Sequence, residues 1–162
     1  MTRLLLVALC VALVVLALAG MRVGWRHRLA RQVDLPPLPA APSELGPAHL
    51  RTGGLYVGST FAASWQDRVL HGGLGDRAAA VASLHGAGVL IERQGSTAVF
   101  VPRAAWVEAR LAPGLAGKVV GEGGLLVLRW RLGPALIDSG FRADDKASYP
   151  DWVTTINERV NA

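Results

Sequence analysis

An uninterrupted apolar run near the start of the chain, residues 4–21, limits what this sequence can fold into. Its eighteen residues carry no charge, and Arg22, Arg26, Arg28 and Arg31 follow directly. As an α-helix the run would rise about 27 Å, close to the roughly 30 Å core of a bilayer. A run this long without a polar face does not suit a buried helix of a small domain. The pattern therefore predicts one transmembrane helix.

The charges that flank the run predict its orientation. Only Arg3 and the terminal amine precede it, whereas four arginines follow it within ten residues. Because positive residues stay on the cytoplasmic side, we expect the N-terminus outside the plasma membrane and residues 22–162 inside. Arginine contacts anionic lipid headgroups, and tryptophan favours the headgroup region. The predicted membrane-surface residues are Arg22, Trp25, Arg26, Arg28 and Arg31.

A cleaved signal peptide is the alternative interpretation of this segment. Ala17-Leu18-Ala19 resembles a small-residue cleavage site that follows a charged start and an apolar stretch. Export would then require four arginines to cross the membrane directly behind the signal, which the charge rule disfavours. The sequence thus favours an uncleaved anchor.

The excess positive charge of the chain belongs to this first segment. Residues 1–31 hold five of the 17 Lys and Arg residues and none of the 12 Asp and Glu residues, so 12 of each sign remain in residues 32–162. Phosphate backbones are bound by domains with a basic face. A neutral domain lacks this charge, so nucleic acid is not an expected partner.

Residues 32–50 form the next compositional segment. They contain five of the nine prolines, at positions 36, 37, 39, 42 and 47, and proline disfavours both helix and sheet. We predict a proline-rich linker that acts as a semi-rigid spacer. A docking site for a proline-recognising partner is the alternative interpretation.

Residues 51–162 are predicted to form one mainly β domain. Alternating or apolar runs are separated by Gly and Pro turn signals, and strand 125–132 places Leu126, Leu128 and Trp130 on one buried face with the other face wet. Near the end, Ser148 and Pro150 suit a helix start, and apolar residues then recur every four positions. The predicted strands are 54–60, 77–84, 88–93, 98–101, 106–111, 125–132 and 135–141. Seven strands followed by one amphipathic helix have the order of a pleckstrin-homology-like (PH-like) small barrel or split barrel, and a sandwich would show a similar pattern.

Six segments of the second half carry a resemblance to a known family. They are GGLYVGSTFAASWQDRV (53–69), GLGDRA (73–78), GVLIERQG (88–95), FVPRAAW (100–106), GLAGKVVGEGGLLVLRWRLG (114–133) and DSGFRADDKA (138–147). They resemble a family of actinobacterial single-pass membrane proteins that carry a bacterial PH-like domain. The resemblance covers nearly all of residues 53–160 and implies a PH-like barrel on one transmembrane helix. It implies no catalytic or ligand-binding residues, and some members carry a transporter or export label.

Motifs for catalysis, metals and phosphate binding are weak in this chain. Ser83 and His85 lie two residues apart, but no nucleophile elbow accompanies them. The pair Asp144-Asp145 is typical of a solvated turn, and the four histidines are scattered. The Gly-Lys step at 117–118 lacks the other P-loop residues and predicts a hairpin turn that presents Lys118. We therefore expect no catalytic residues, no cofactor and no metal.

The combined prediction is a membrane-anchored, non-catalytic interaction or scaffolding module. It has an anchor with a basic collar (1–31), a linker (32–50) and a cytoplasmic PH-like domain (51–162) that binds a protein partner. One alternative is a lipid or small-ligand sensor at the membrane. Another alternative is an accessory subunit of an exporter or transporter.

Overall fold

The computed structural model describes residues 2–33, 35–121 and 123–162; within the first helix it describes the side chains of residues 7 and 9–24. The chain divides into two compact units, Met1–Asp34 and Leu35–Ala162. The first unit is helix α1 (Thr2–Val33), whose described side chains are exposed. Among the described residues, no helix has both the length and the apolar character of a membrane span. The anchor at residues 4–21 stays a prediction.

The second unit is built around one antiparallel seven-stranded sheet and a C-terminal helix, α2 (Tyr149–Asn161). Its strand order is β4-β3-β2-β1-β9-β8-β5, while β6 and β7 form a separate hairpin. The strands are β1 (Leu50–Phe61), β2 (Ala78–Leu84), β3 (Gly88–Arg93), β4 (Val99–Pro102), β5 (Trp106–Ala112), β6 (Gly114–Leu115), β7 (Lys118–Val119), β8 (Leu125–Leu132) and β9 (Ala135–Ala143). All seven predicted strands are confirmed, and the bounds of 88–93 and 125–132 agree to the residue.

The sheet packs around one main core. Side chains from all seven of its strands and from α2 belong to one buried cluster, which includes Trp130, Trp152 and Ile156. The indole Nε1 of Trp106 at the start of β5 donates a hydrogen bond to the carbonyl of Val101 on β4 at 3.1 Å, across the short connection between these two strands. The predicted mainly β class with a C-terminal helix is confirmed.

Strand β8 differs from its prediction at one end. Leu126, Leu128 and Trp130 face the main core as predicted. Leu125 and Val127 are buried on the opposite face, where they form a second cluster with Leu115 of the β6–β7 hairpin and with two other side chains. The hairpin lies over this face, which the alternating pattern predicted to be wet. Lys118 is exposed at the hairpin turn, as expected.

The same outer face carries an ion-pair cluster farther along the sheet. Asp138 on β9 is buried, and its carboxylate accepts hydrogen bonds from the guanidinium of Arg129 at 2.7 and 2.9 Å and from that of Arg110 at 2.8 Å. Arg129 also pairs with Glu108 at 3.0 Å. These contacts join β5, β8 and β9, so Arg129 is held within the fold.

The linker prediction is corrected by the described residues 35–49, which we call the strap. The strap contains neither helix nor strand until residue 50, as its prolines require. It is packed on the domain, however, and Leu35 is only 7% exposed within the main core. The carbonyl of Gly46 is hydrogen-bonded to His85, and the amide of His49 donates to the carbonyl of Leu84. The domain therefore begins at Leu35, and its first fifteen residues are no spacer.

Helix α2 covers the free edge of β5. The side-chain Nδ2 of Asn157 donates to the carbonyl of Ala109 at 2.9 Å, and its Oδ1 accepts from the Ala109 amide at 2.7 Å. One side chain thus satisfies both backbone groups that a further strand would have paired.

We predict that the second cluster contributes strongly to stability. Leu115→Ala removes a side chain that is 1% exposed and should lower the free energy of unfolding by about 2–4 kcal/mol. Val119→Ala, on the same hairpin but 74% exposed, should change it by less than about 0.5 kcal/mol. Urea unfolding of both variants measures the difference, and equal effects would show that the hairpin does not cover the sheet.

Candidate functional site

The predicted membrane-surface residues lie on α1. Arg22 is exposed. The side chains of Trp25, Arg26, Arg28 and Arg31 lie outside the described residues. Their contact with anionic lipid stays a prediction. The described side chains that could form a site belong to the second unit.

The space between the sheet and α2 is filled. The cavity there measures about 20 Å³ and is lined by mostly apolar side chains that include Leu128, Phe141 and Trp152. A volume of this size holds about one water molecule. This cavity therefore cannot take a lipid or a small organic ligand.

Ser83 and His85 are brought together by the fold. The Nε2 atom of His85 lies 3.0 Å from the hydroxyl of Ser83, and its Nδ1 atom lies 3.0 Å from the carbonyl of Gly46. Because a carbonyl can only accept, Nδ1 donates to Gly46. Both side chains are more than nine-tenths buried under the strap. The pair fastens the strap and is closed to substrate.

The acidic pair beside α2 has the turn role that its sequence predicted. The carboxylate of Asp145 accepts from the amide of Ala147 at 2.9 Å, and the hydroxyl of Ser148 donates to the Asp145 carbonyl at 3.0 Å. Ser148 therefore does not cap α2 with its side chain. Within the described part of the chain, no group of three His, Cys, Asp or Glu side chains could hold a metal ion.

An open groove lies where the β1–β2 and β3–β4 connections meet, and we call it the Arg93 groove. It measures about 680 Å³. Gly73 has a φ of +71°, which an L side chain rarely adopts, and a side chain at this position would crowd Asp76. Small residues thus keep the groove open above Arg93. The lining residues are Gly72, Gly73, Asp76, Arg93, Gly95, Ser96 and Thr97.

The guanidinium of Arg93 is held at this groove by backbone carbonyls. Its Nε and one terminal nitrogen donate to the carbonyl of Thr97, the former at 2.8 Å, and the other terminal nitrogen donates to the carbonyl of Gly73. The guanidinium lies 5.0 Å from the centre of the Tyr56 ring, in cation–π geometry. Three of its five N–H groups are used in this way.

The charge of Arg93 has no close counter-ion. The residue is 7% exposed, yet among the described side chains no carboxylate oxygen lies within the 4.0 Å ion-pair distance of its guanidinium. Asp76 is exposed at the rim of the same groove. A buried charge is normally paired, because desolvation is costly. The groove therefore presents a cation with two spare donors and with no carboxylate in direct contact.

A buried hydrogen-bond network supports the Tyr56 ring beneath Arg93. The Tyr56 hydroxyl donates to the carbonyl of Leu74 at 3.0 Å and contacts the Ser59 hydroxyl at 2.6 Å. Ser59 continues to Ser139 at 2.6 Å, which accepts from the indole of Trp130 at 2.9 Å. Burial raises the pKa of the Tyr56 phenol, since desolvation outweighs the Ser59 hydrogen bond and the Arg93 charge, which lower it.

The sequence contained a signal for Arg93 that strand assignment alone overlooked. Val89, Ile91 and Arg93 alternate along β3, and the first two face the main core. The alternation therefore places Arg93 on the inward face, where a buried charge requires hydrogen-bond acceptors or a counter-ion. By contrast, nothing in the local pattern marks Gly73 or Thr97 as its partners, because both act through backbone carbonyls.

A comparison with protein-family profiles matches residues 35–157 to the family described as Bacterial PH domain-like. The chain belongs to the Bacterial PH domain-like family. The match begins at the buried Leu35, which agrees with the strap being part of the domain. No curated protein sequence matches the chain. Membership of a PH-like family indicates a non-catalytic interaction module.

We predict that Tyr56 makes stability fall in alkali. Its pKa is raised above 10.0 in the folded chain, so its contribution is complete below that pH and is lost as the pH rises through the folded-state value. Tyr56→Phe should cost about 1–3 kcal/mol at neutral pH, because it removes the buried hydrogen bonds of the Tyr56 hydroxyl to the Leu74 carbonyl and to Ser59. It should also flatten the alkaline decline, measured by urea unfolding from about pH 8 to 11.

Tyr149→Phe is the parallel variant for a second buried phenol, because burial also raises the pKa of Tyr149. The double variant should lose more of the alkaline decline than either single variant. An alkaline decline that is unchanged in Tyr56→Phe would contradict the prediction.

Proposed function

We propose that this protein is a membrane-anchored, non-catalytic interaction module whose PH-like domain binds one anionic group of a protein partner in the Arg93 groove. The observation that carries the proposal is the buried guanidinium of Arg93, which has no carboxylate within ion-pair distance in the described part of the chain.

The groove supplies what an anion requires. Two N–H groups of Arg93 remain for a bidentate or paired interaction, and hydrogen bonds to an ionised acceptor are about twice as strong as neutral ones. The hydroxyl-bearing residues Ser96 and Thr97 line the same groove. A bound anion would also supply the missing counter-ion of Arg93.

The charge balance of the groove favours a carboxylate over a phosphate. Asp76 lies at the rim, and its negative charge opposes every anion, but it opposes a dianion more than a monoanion. An aspartate, glutamate or C-terminal carboxylate of a partner fits a site with one cation and one nearby acid. A phosphate-bearing lipid headgroup is the second candidate, and the same two donors of Arg93 favour it.

The membrane anchor in this proposal rests on the sequence. The uncharged run at residues 4–21 is followed by Arg22, Trp25, Arg26, Arg28 and Arg31, which suits a span with a basic cytoplasmic side. We propose that the N-terminus is outside the plasma membrane and that the domain lies in the cytoplasm.

The binding proposal predicts that the acidic residue in the groove affects anion affinity and that an acidic residue on the other side of β3 does not. Sodium acetate, added to the full-length protein in detergent at constant ionic strength, should shift the Arg93 Nε–H resonance saturably in ¹⁵N NMR. Asp76→Asn should tighten acetate binding by about three- to tenfold, because it removes a negative charge a few ångströms from the anion. Glu92→Gln is the control, since Glu92 is also exposed but faces the other side of β3.

The outcomes separate the two ligand sources. A tighter response to acetate than to inorganic phosphate supports a carboxylate-bearing partner, and the reverse order supports a lipid headgroup. No saturable shift with either anion, or an unchanged affinity in Asp76→Asn, would overturn the groove as the binding site.

The anchor proposal predicts where the domain can be labelled. Ser43→Cys and Glu158→Cys, each in a Cys10→Ala background, place single thiols at exposed positions. A membrane-impermeant thiol reagent should label neither variant on intact cells and both after lysis. Labelling of intact cells would place the domain outside and contradict the proposed orientation.

A further inference from the structure

We propose that the strap regulates the Arg93 groove, with its docked state holding the groove in its binding geometry. This inference rests on the proposed binding role of the groove. It starts from the observation that the strap and the groove share one turn of the chain, His71–Gly73.

The strap contacts this turn on two sides. The Nε2 atom of His71 donates to the carbonyl of Pro36 at 3.0 Å, because a carbonyl can only accept. The side chain of Leu38 fills the space where a Cβ at Gly72 would lie, at 2.7 Å from that position. The turn is thus fixed to residues 36–38 of the strap by one hydrogen bond and one packing contact.

The other end of the same turn holds the groove cation. The carbonyl of Gly73 accepts from the Arg93 guanidinium, and Gly72 and Gly73 both line the groove. His71 and Gly73 are two residues apart. A movement of the turn that follows release of the strap therefore removes a carbonyl from Arg93 and changes the walls of its groove.

The strap is held by fewer backbone hydrogen bonds than the strands of the sheet are. Residues 35–49 add no strand or helix to the fold, and their side-chain anchors are two imidazoles, His71 and His85, together with the apolar Leu35 and Leu38. Segments with few backbone hydrogen bonds occupy the low end of local opening free energies. Residues 36–38 of such a segment can exchange between docked and released states while the rest of the strap and the sheet stay intact.

Linkage makes the coupling reciprocal. If the docked strap favours anion binding, then a bound anion must favour the docked strap by the same factor. Residues that precede the strap in the chain, or a partner that binds its exposed prolines, would then control the groove. Occupancy of the groove would in turn tighten the strap.

The first measurement needs no ligand. In the full-length protein in detergent, His71→Ala should speed hydrogen exchange of the Arg93 Nε–H by about tenfold, as expected for a loosened local unit. His85→Ala is the matched control, because it removes the other imidazole anchor at the far end of β2. That end lies about 20 Å from the groove by strand rise, and the variant should leave Arg93 exchange unchanged. His71→Gln, which keeps a donor, should restore slow exchange.

The second measurement adds sodium acetate. Its affinity should fall about five- to tenfold in His71→Ala and stay unchanged in His85→Ala. Acetate should also slow amide exchange of Leu38 and Ala40 in the wild-type strap.

Each outcome decides one point. Arg93 exchange that is equally fast in His71→Ala, His85→Ala and wild type overturns the coupling, whether or not acetate binds. A His71-dependent exchange without acetate binding overturns the proposed binding role and supports the mechanical link. Should His71→Ala fail to fold, Leu38→Ala tests the same link through the packing contact.

Discussion

Strand β1 joins the two halves of the sheet, because it pairs with β2 along one side and with β9 along the other. Its pairing with β9 slips by one residue between Tyr56 and Gly58, so that Val57 is left over as a bulge. The bulge reverses the alternation and lets both Tyr56 and Ser59 face inward. Their hydroxyls can then meet, and the network that reaches Ser139 and supports the ring under Arg93 depends on this single extra residue. A regular β1 would have placed one of the two hydroxyls on the outer face.

Two arginines in this domain, the half-buried Arg129 and the buried Arg93, are held in different ways. Arg129 is neutralised by the carboxylate of Asp138 and belongs to the fold. Arg93 is solvated by the carbonyls of Thr97 and Gly73 and by the Tyr56 ring, which stabilise its position without cancelling its charge. Only the second arrangement leaves the guanidinium without a carboxylate in direct contact and with N–H groups to spare. This difference, more than the count of charges, distinguishes a structural cation from a candidate recognition site.

Local patterns in the sequence were enough for the strands, since alternation and turn residues are nearest-neighbour properties. They failed where one element folds over another. The second face of β8 was predicted wet because alternation does not show that the preceding β6–β7 hairpin folds back over Leu125 and Val127. The strap was predicted to be a spacer because five prolines do exclude helix and strand, but they do not exclude packing of Leu35 and Leu38. The groove could be predicted only in part, because alternation marks Arg93 as an inward-facing charge, whereas its acceptors are backbone carbonyls that every residue possesses.

The bidentate contact of Asn157 with Ala109 has a consequence for how copies of this domain behave when crowded. A row of unpaired amides on an edge strand is a template on which another chain can polymerise. The carboxamide of Asn157 interrupts that template, because it makes the two hydrogen bonds with Ala109 that a neighbouring strand would make. Helix α2, which completes the core, therefore also blocks the addition of another strand at β5. Chains that are concentrated on a surface are therefore hindered from joining into fibrils through the β5 edge.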